Sequence, residues 1–354
     1  MSDLSAVPAV PAPDAEALRL LQRDNRRLIG NLADCRSTKA DLVEATHYAV
    51  GEALRQLRFE PVTLGAERDG RKGDDEVAVV VLSDWQLAKV TPTYNTEVAR
   101  NRIARLANRV ERLTNIQRAD HPVRHLVVFI LGDLVEGEMI FPGQAHRIDS
   151  SLFHQVMIDG PSILGGFLRE MLVLFESVEV HAVIGNHGRI GKRGDFRPET
   201  NSDAMLYEVT RQVLEASGQK RLLWTPNYVT GEEKWYEIVT VNGKRWMLVH
   251  GNQFFGGSGI SGYPYPNANS KVLRWANGGI PETRQGEPIH YVVAGHHHQA
   301  INIPIGRIKL WVSGSTESDN TYASQDFASM SDPSQWLLFV GETGQVGAQY
   351  QVRL

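Results

Sequence analysis

Five short apolar runs in this chain each stop at a small cluster of side chains able to hold a metal. Residues 77–82 lead into Ser83-Asp84-Trp85-Gln86, and residues 125–131 into Gly132-Asp133-Leu134-Val135-Glu136. Residues 178–184 lead into Gly185-Asn186-His187-Gly188, a run ending at Val249 into His250-Gly251, and residues 291–294 into Gly295-His296-His297-His298. Short β-branched and aliphatic runs of this kind predict buried strands. Between the first three lie residues at helical spacing: Val98, Ile103, Leu106, Val110 and Leu113, then Ile163, Leu164, Phe167, Leu168, Met171 and Phe175. Strands alternating with helices, with polar groups at the strands' C-terminal ends, are how open α/β sheets build sites. A single Asp after a strand is ordinarily a helix cap, and a single His ordinarily core or surface. Five such clusters in order, most beside glycine, ask for a functional explanation. Glycine there lets backbone approach a metal or phosphate with no Cβ in the way.

The last third reads as more β-rich. Residues 237–241, Asn242-Gly243 and residues 244–250 form a strong hairpin signal, and residues 291–294, 301–312 and 336–340 add strands.

The ordered blocks resemble the calcineurin-like metallophosphoesterases, whose pattern is D-x-H, G-D-x-x-[DE], G-N-H-[DE], a lone H-G, and G-H-x-H. The resemblance runs from Val77 to the neighbourhood of Ser324. It implies an α/β fold, a sandwich of two mixed β-sheets flanked by helices, here with an N-terminal helical extension. Residues 131–144 (LGDLVEGEMIFPGQ), residues 185–193 (GNHGRIGKR) and Asn201 to Asp203 resemble a bacteriophage-encoded branch labelled as DNA repair exonucleases.

Carried over by position, the resemblance implies that Asp133 bridges two divalent cations. Asp84 and His298, with Gln86, would hold one; Asn186, His250 and His296 would hold the other. Mn²⁺ is the expected ion, with Mg²⁺, Fe²⁺ and Zn²⁺ as alternatives. A carboxylate bridge holds such cations about 3.5–4 Å apart and lets both clamp phosphate oxygens. His187 corresponds to the family's histidine that steadies developing charge or protonates the leaving oxygen, with Arg189 beside it as a second catalytic candidate. Two positions depart from the pattern. Gln86 stands where the first block has His; an amide oxygen is a harder, weaker ligand that favours Mn²⁺ or Mg²⁺, or Gln86 does not ligate. Gly188 stands where an acidic residue normally orients the histidine, which leaves Glu136 as the candidate partner of His187.

The loop after His187 carries Arg189, Lys192, Arg193 and Arg197, basic groups suited to a phosphodiester backbone. Residues 253–279 are rich in glycine and aromatics. Phe254 and Phe255 are candidates to stack bases, or the segment packs on itself as a lid or on a neighbouring subunit. Arg102, Arg105, Arg109 and Arg112 read as the wet face of a helix. His181 reads as a satisfied core residue, His297 as pointing away from the metals, and His146 and His154 have no assigned role.

Composition sets the outer bounds. In 354 residues the formal net charge is -4 and the pI about 6.3, so nucleic acid would be met by a local patch and metal rather than by global basic charge. The single cysteine, Cys35, excludes an intramolecular disulfide framework and a Cys-based zinc site. Neither a signal peptide nor a membrane span is legible, which points to the cytoplasm, the host's if phage-encoded. Residues 1–13, with Pro8, Pro11 and Pro13, predict a disordered tail. Residues 14–58 predict helix, with Leu18, Leu21, Asn25, Leu28, Leu32, Cys35, Lys39 and Leu42 at heptad spacing. That spacing fits a homo-oligomer through residues 18–46, or equally an amphipathic helix lying on its own domain. Residues 59–76 predict a linker, and residues 77–354 the phosphoesterase domain. The expected function is a metal-dependent phosphodiesterase, a nuclease acting on DNA. The alternatives are a phosphomonoesterase or small- or cyclic-nucleotide phosphodiesterase, and a binding scaffold of the same fold.

Overall fold

In the sheet that carries the first three clusters, the strands at residues 77–82, 125–130, 222–224 and 336–340 read as apolar runs, because helices cover one face and a second sheet the other. The computed structural model describes residues 61–65, 73–141, 143–191, 195–197, 200–229, 235–254, 265–319 and 332–354, together with Arg23, Arg26 and Arg27. The chain divides into two compact units, Met1–Glu52 and Ala53–Leu354. In the first, Arg23, Arg26 and Arg27 are helical and exposed; the tail and the heptad pattern otherwise lie outside the described residues.

The larger unit is an α/β sandwich of two mixed sheets. The first sheet has the order β11-β10-β1-β2-β3-β4. Its parallel centre is β1 (Val77–Leu82), β2 (His125–Ile130), β3 (Ser177–Ala182) and β4 (Leu222–Trp224). The antiparallel strands β10 (Ser334–Val340) and β11 (Val346–Arg353) close one edge. Helices α1 (Thr96–Gln117), α2 (Gly160–Leu174) and α3 (Ser202–Ala216) connect the parallel strands. The side chain of Asn95 caps α1 by accepting from the Val98 amide at 2.9 Å.

The second sheet has the order β5-β6-β7-β9-β8. It comprises β5 (Tyr236–Val241), β6 (Lys244–Val249), β7 (Tyr291–Ala294), β8 (Ile301–Ile305) and β9 (Ile308–Val312). The Asn242-Gly243 turn joins β5 to β6 with both residues at positive φ, 45° and 74°, as a type I′ hairpin turn requires. The stretch 301–312, expected to add strand, is the antiparallel hairpin β8–β9.

Period-two alternation decides what each face touches. Val79, Val81, Val127, Phe129, Trp246, Leu248, Val293 and Trp311 form the core between the sheets. Met247, Val249, Val292 and Leu310 face outward and are covered by Ala268 and Val272 of helix α4 (Tyr265–Arg274) and by Phe254 and Trp275. Burying one such aliphatic or Phe side chain contributes about 1.5–3 kcal/mol.

Register then sets the level at which the loops emerge. Leu82 pairs with Ile130, and Ile130 with Ala182, so the parallel strands of the first sheet end together. In the second sheet Leu248 pairs with Val293, and Ala294 with Val312. A hydrogen bond from His250 Nδ1 to the Leu131 carbonyl, 2.7 Å, ties the end of β6 to the end of β2. All the metal-competent clusters therefore meet at one edge of the sandwich.

Part of the stretch expected as a linker is bound to this unit. Gly65 N donates to Val173 O at 2.9 Å, and Arg221 Nη2 to Val62 O at 3.1 Å. Glu76 is buried, with its carboxylate accepting from Gln117 Nε2 at 2.6 Å. Among the described residues no helix is long and apolar enough to cross a membrane.

Candidate metal centre

The loops that leave the strands are bent hard. Asp84, Gln86, Ala88, Asp133, His296 and His298 all have φ between 44° and 81°, the left-handed region that residues with a Cβ rarely enter. Strain of this kind collects at functional sites and persists only where the surroundings over-determine it. Here they do. Asp84 N donates to Gly132 O at 3.1 Å, Gln86 N to Asp133 O at 2.9 Å and Leu87 N to Leu134 O at 2.9 Å, so the loops after β1 and β2 run locked together. Gly185 makes the close approach possible: a Cβ there would stand 2.0 Å from Asp133 Oδ1.

Asp203 supports the same loops from the start of α3. Its carboxylate accepts from the amides of Asp133 (2.8 Å), Leu134 (3.0 Å), Val135 (3.3 Å) and Gly185 (2.9 Å). Burial, and then the Asp133 charge, push Asp203 up to about 6, against those backbone donors.

Asp133 lies at the centre. Its Oδ1 accepts from the His187 amide at 2.7 Å. Its Oδ2 is buried and accepts no hydrogen bond, although His250 Nε2 lies 3.0 Å away. His250 Nε2 is also 3.0 Å from Asn186 Oδ1. Because the Nδ1 proton of His250 is committed to Leu131, a neutral imidazole presents a bare lone pair at Nε2, facing two bare oxygens. A positive charge placed among them resolves that arrangement: a proton on His250 or a bound cation. Burial lowers the pKa of His250, and Asp133 more than reverses the effect, raising it above its ordinary value. Burial alone would lift the Asp133 carboxyl, but His250 and His187 hold it well below the usual carboxylate range. His296, its ring 5.0 Å from that of His250, is pushed well down by burial and by His250, which keeps it neutral and ligand-ready. Ligand atoms of Asp133, His250 and His296 lie within 4.8 Å of one another. With the Asn186 oxygen, this half of the centre fits a divalent cation.

The other half is different. Asp84 Oδ2 accepts from Ser83 Oγ at 2.5 Å and from the His296 amide at 2.9 Å, while Oδ1 is buried 3.4 Å from His298 Nε2. His298 Nδ1 lies 2.5 Å from Glu317 Oε1, and Glu317 Oε2 pairs with Lys89 Nζ at 2.5 Å. Burial opposes charge on His298, but Glu317 pushes it up to about 10. Lys89 Nζ also donates to Gln86 Oε1 at 2.6 Å, and Gln86 Nε2 stands 3.2 Å from His298 Nε2. Gln86 thus turns its oxygen to Lys89 and its amide nitrogen to His298. These residues do not fit the amide-oxygen ligand that the sequence allowed.

His187 Nδ1 lies 3.2 Å from both the backbone oxygen and the Oε2 of Glu136, the partner expected in place of the missing acid. Burial lowers His187, but Asp133 and Glu136 push it up to about 9. Asn201 explains Gly188, since a Cβ at 188 would stand 2.3 Å from Asn201 Oδ1. Arg189 is half-buried and forms an isolated backbone bridge with Asn201, while Arg197 is exposed. Lys192, Arg193 and Phe255 lie outside the described residues. Phe254 is corrected as a base-stacking surface: it is 3% exposed and packs in the outer core against Trp275, ring centroids 5.6 Å apart. His297 stacks on Phe254, ring centroids 6.3 Å apart. His181 is satisfied by Glu179 and Glu237, while His146 and His154 are exposed. Arg102 anchors on Thr316 O and Ser318 Oγ, while Arg105, Arg109 and Arg112 form the wet face expected.

Sequence reasoning missed Lys89, Asp203 and Glu317. Glu317 carried a signal, since the run ending at Val312 stops at Ser313-Gly314-Ser315-Thr316-Glu317 just as the other five runs stop at their clusters.

No protein-family model matches the chain, and no curated protein matches it. Among solved structures, vacuolar protein sorting 29 of Entamoeba histolytica complexed with zinc is similar at 10% identity and a TM-score of 0.36, covering 78% of this chain and 98% of that one. A novel archaeal phosphodiesterase is similar at 10% identity and a TM-score of 0.33, covering 78% of this chain and 99% of that one. A conserved protein of Streptococcus pneumoniae, titled a predicted phosphoesterase, is similar at 11% identity and a TM-score of 0.31, covering 79% and 98%.

Proposed function

We propose that this chain is a metal-dependent phosphoesterase that hydrolyses phosphodiester bonds, with DNA as its substrate. The observation that carries the proposal is His250 Nε2 standing 3.0 Å from both Asp133 Oδ2 and Asn186 Oδ1, while the other oxygen of Asp133 holds His187. A divalent cation bound by Asp133, Asn186, His250 and His296 would supply Lewis acidity toward a phosphoryl oxygen. Manganese suits a set of two imidazoles, a carboxylate and an amide oxygen.

The chain's own groups would supply the rest. The hydrogen bond from the His187 backbone N–H to Asp133 Oδ1 fixes that residue beside the centre. Glu136 takes the Nδ1 side of the ring, which leaves Nε2 to give a proton to the leaving oxygen or to steady charge on the phosphoryl group. Support for DNA comes from the basic residues that follow, Arg189, Lys192, Arg193 and Arg197, which suit a phosphate backbone.

The test is hydrolysis in Mn²⁺ of single-stranded DNA, duplex DNA, a cyclic dinucleotide, a chromogenic phosphodiester and a phosphomonoester. Asp133→Asn and His187→Ala serve as controls. The proposal expects cleavage of DNA and of the chromogenic diester. Cleavage confined to monoesters would remove the DNA assignment, and none above the controls would favour the scaffold reading.

A further inference from the structure

The half of the centre built on Asp84 and His298 spends its lone pairs internally. A lysine ammonium only donates, so the Gln86 atom 2.6 Å from Lys89 Nζ must be the amide oxygen. Flipping the amide would set NH₂ against NH₃⁺. The NH₂ group therefore faces His298 Nε2 at 3.2 Å. On the far side of that ring, Glu317 Oε1 lies 2.5 Å from Nδ1, and a carboxylate accepts, so Nδ1 carries a proton toward Glu317 while Nε2 is enclosed by the Gln86 amide nitrogen at 3.2 Å and Asp84 Oδ1 at 3.4 Å. Asp84 has already given Oδ2 to Ser83 and the His296 amide.

Little remains there for a cation beyond Asp84 Oδ1 and a share of Asp133. Among the described residues, one set of three acid or imidazole ligand atoms lies within 4.8 Å of one another, and it is Asp133, His250 and His296. The loop that carries Lys89 is not free to withdraw. Gln86, Leu87 and Ala88 are tied to the backbone of Asp133, Leu134 and Asp149 at 2.9 Å each, and Gln86 and Ala88 hold φ of 44° and 81°.

We infer that this chain holds a single divalent cation, and that the Lys89 ammonium, acting through Gln86 and Glu317, takes the structural place of a second. The inference rests on the metal-dependent reading above, with Asp133 as a terminal ligand instead of a bridge. Lys89 supplies one fixed positive charge in place of a mobile doubly charged ion, and it orients His298 through Glu317.

The test is metal content, read without any assay of turnover. The full-length chain is stripped with chelator, reloaded with Mn²⁺, desalted and measured by plasma mass spectrometry, with titration calorimetry as a second count. The parent is expected to hold one equivalent, and so is Asp84→Asn, whereas His250→Ala holds none. Gln86→His combined with Lys89→Ala frees the lone pairs of the second pocket and is expected to raise the count to two. Two equivalents in the parent, or loss of the ion in Asp84→Asn, would overturn the inference. A double variant that keeps its circular dichroism and still holds one would remove the role given to Lys89 and Gln86. A parent that binds no ion fails differently, because it takes the metal-dependent reading down as well. If the double variant does not fold, the parent and Asp84→Asn counts decide.

Discussion

The side-chain oxygen of Asn201 stands 2.3 Å from where a Cβ on Gly188 would be. That oxygen is not free to move. It accepts from the Asp203 amide at 2.8 Å, while the Asn201 nitrogen donates to Gly185 O at 3.1 Å. Restoring the acid that the family pattern carries at this position therefore works against the local packing. Gly188→Asp is expected to destabilise the chain by about 1–3 kcal/mol, as overpacking of a filled site does. It should not improve hydrolysis. The urea midpoint and the rate on a chromogenic diester check the two halves separately.

Asp203 gathers four backbone amides from the loops that follow β2 and β3. Replacing it with alanine leaves those buried donors without an acceptor, at about 1–3 kcal/mol for each that water cannot reach. Asp203→Ala is expected to lose at least about 3 kcal/mol and to weaken metal retention, because Asp133 loses its support. Asp203→Asn, which keeps an acceptor oxygen, should lose less. Denaturant unfolding together with metal content after desalting tests this. Equal stability of Asp203→Ala and the parent would contradict the structural role.

His181 sits between the sheets, with Nδ1 2.7 Å from Glu237 Oε1 on β5 and Nε2 2.9 Å from Glu179 Oε1 on its own strand. Burial lowers its pKa, but the two carboxylates raise it to about 9. The folded value lies above the unfolded value, so this contribution to stability is complete below about pH 6.5 and is lost as pH rises through about 9. Its size is on the order of 1–3 kcal/mol, kept at the lower end by the solvent around Glu179. Unfolding measured from pH 6 to pH 10 should show the decline, and His181→Gln should flatten it.

A cation that binds the folded chain stabilises it by mass action. At about one hundred times its dissociation constant, Mn²⁺ should add about 2.7 kcal/mol. Chelator should reverse the gain. In Asp133→Asn the gain should vanish, because the variant removes the charged oxygen that faces His250 Nε2. Thermal denaturation with and without Mn²⁺ reads this directly, and a metal-induced shift that survives in Asp133→Asn would place the ion elsewhere.

Much of the fold was legible because local pattern and burial agree. Residues 77–82 and 291–294 read as strands and are β1 and β7, and the hairpin around Asn242-Gly243 falls where the turn chemistry puts it. Strand β11 escaped notice: residues 346–353 alternate on an edge, with Val352 its one buried residue. Helix α4 was hidden inside a segment whose glycines and aromatics suggested a loop. The cluster of left-handed backbone at Asp84, Gln86, Ala88, Asp133, His296 and His298 had no sequence signal either, since none of these residues is glycine.

The sequence by itself determined that the strands end in metal-competent groups, and the order of those groups along the chain, because strand pattern and side-chain chemistry are local. Only the tertiary structure decided how the groups spend their lone pairs. Gln86 and His298 are 212 positions apart, and whether an amide turns its oxygen inward depends on which donor arrives beside it. Lys89 arrives there, held by Glu317 in the segment that follows β9 of the other sheet. That one donor, reaching the pocket through packing, makes the two halves of the centre chemically unequal.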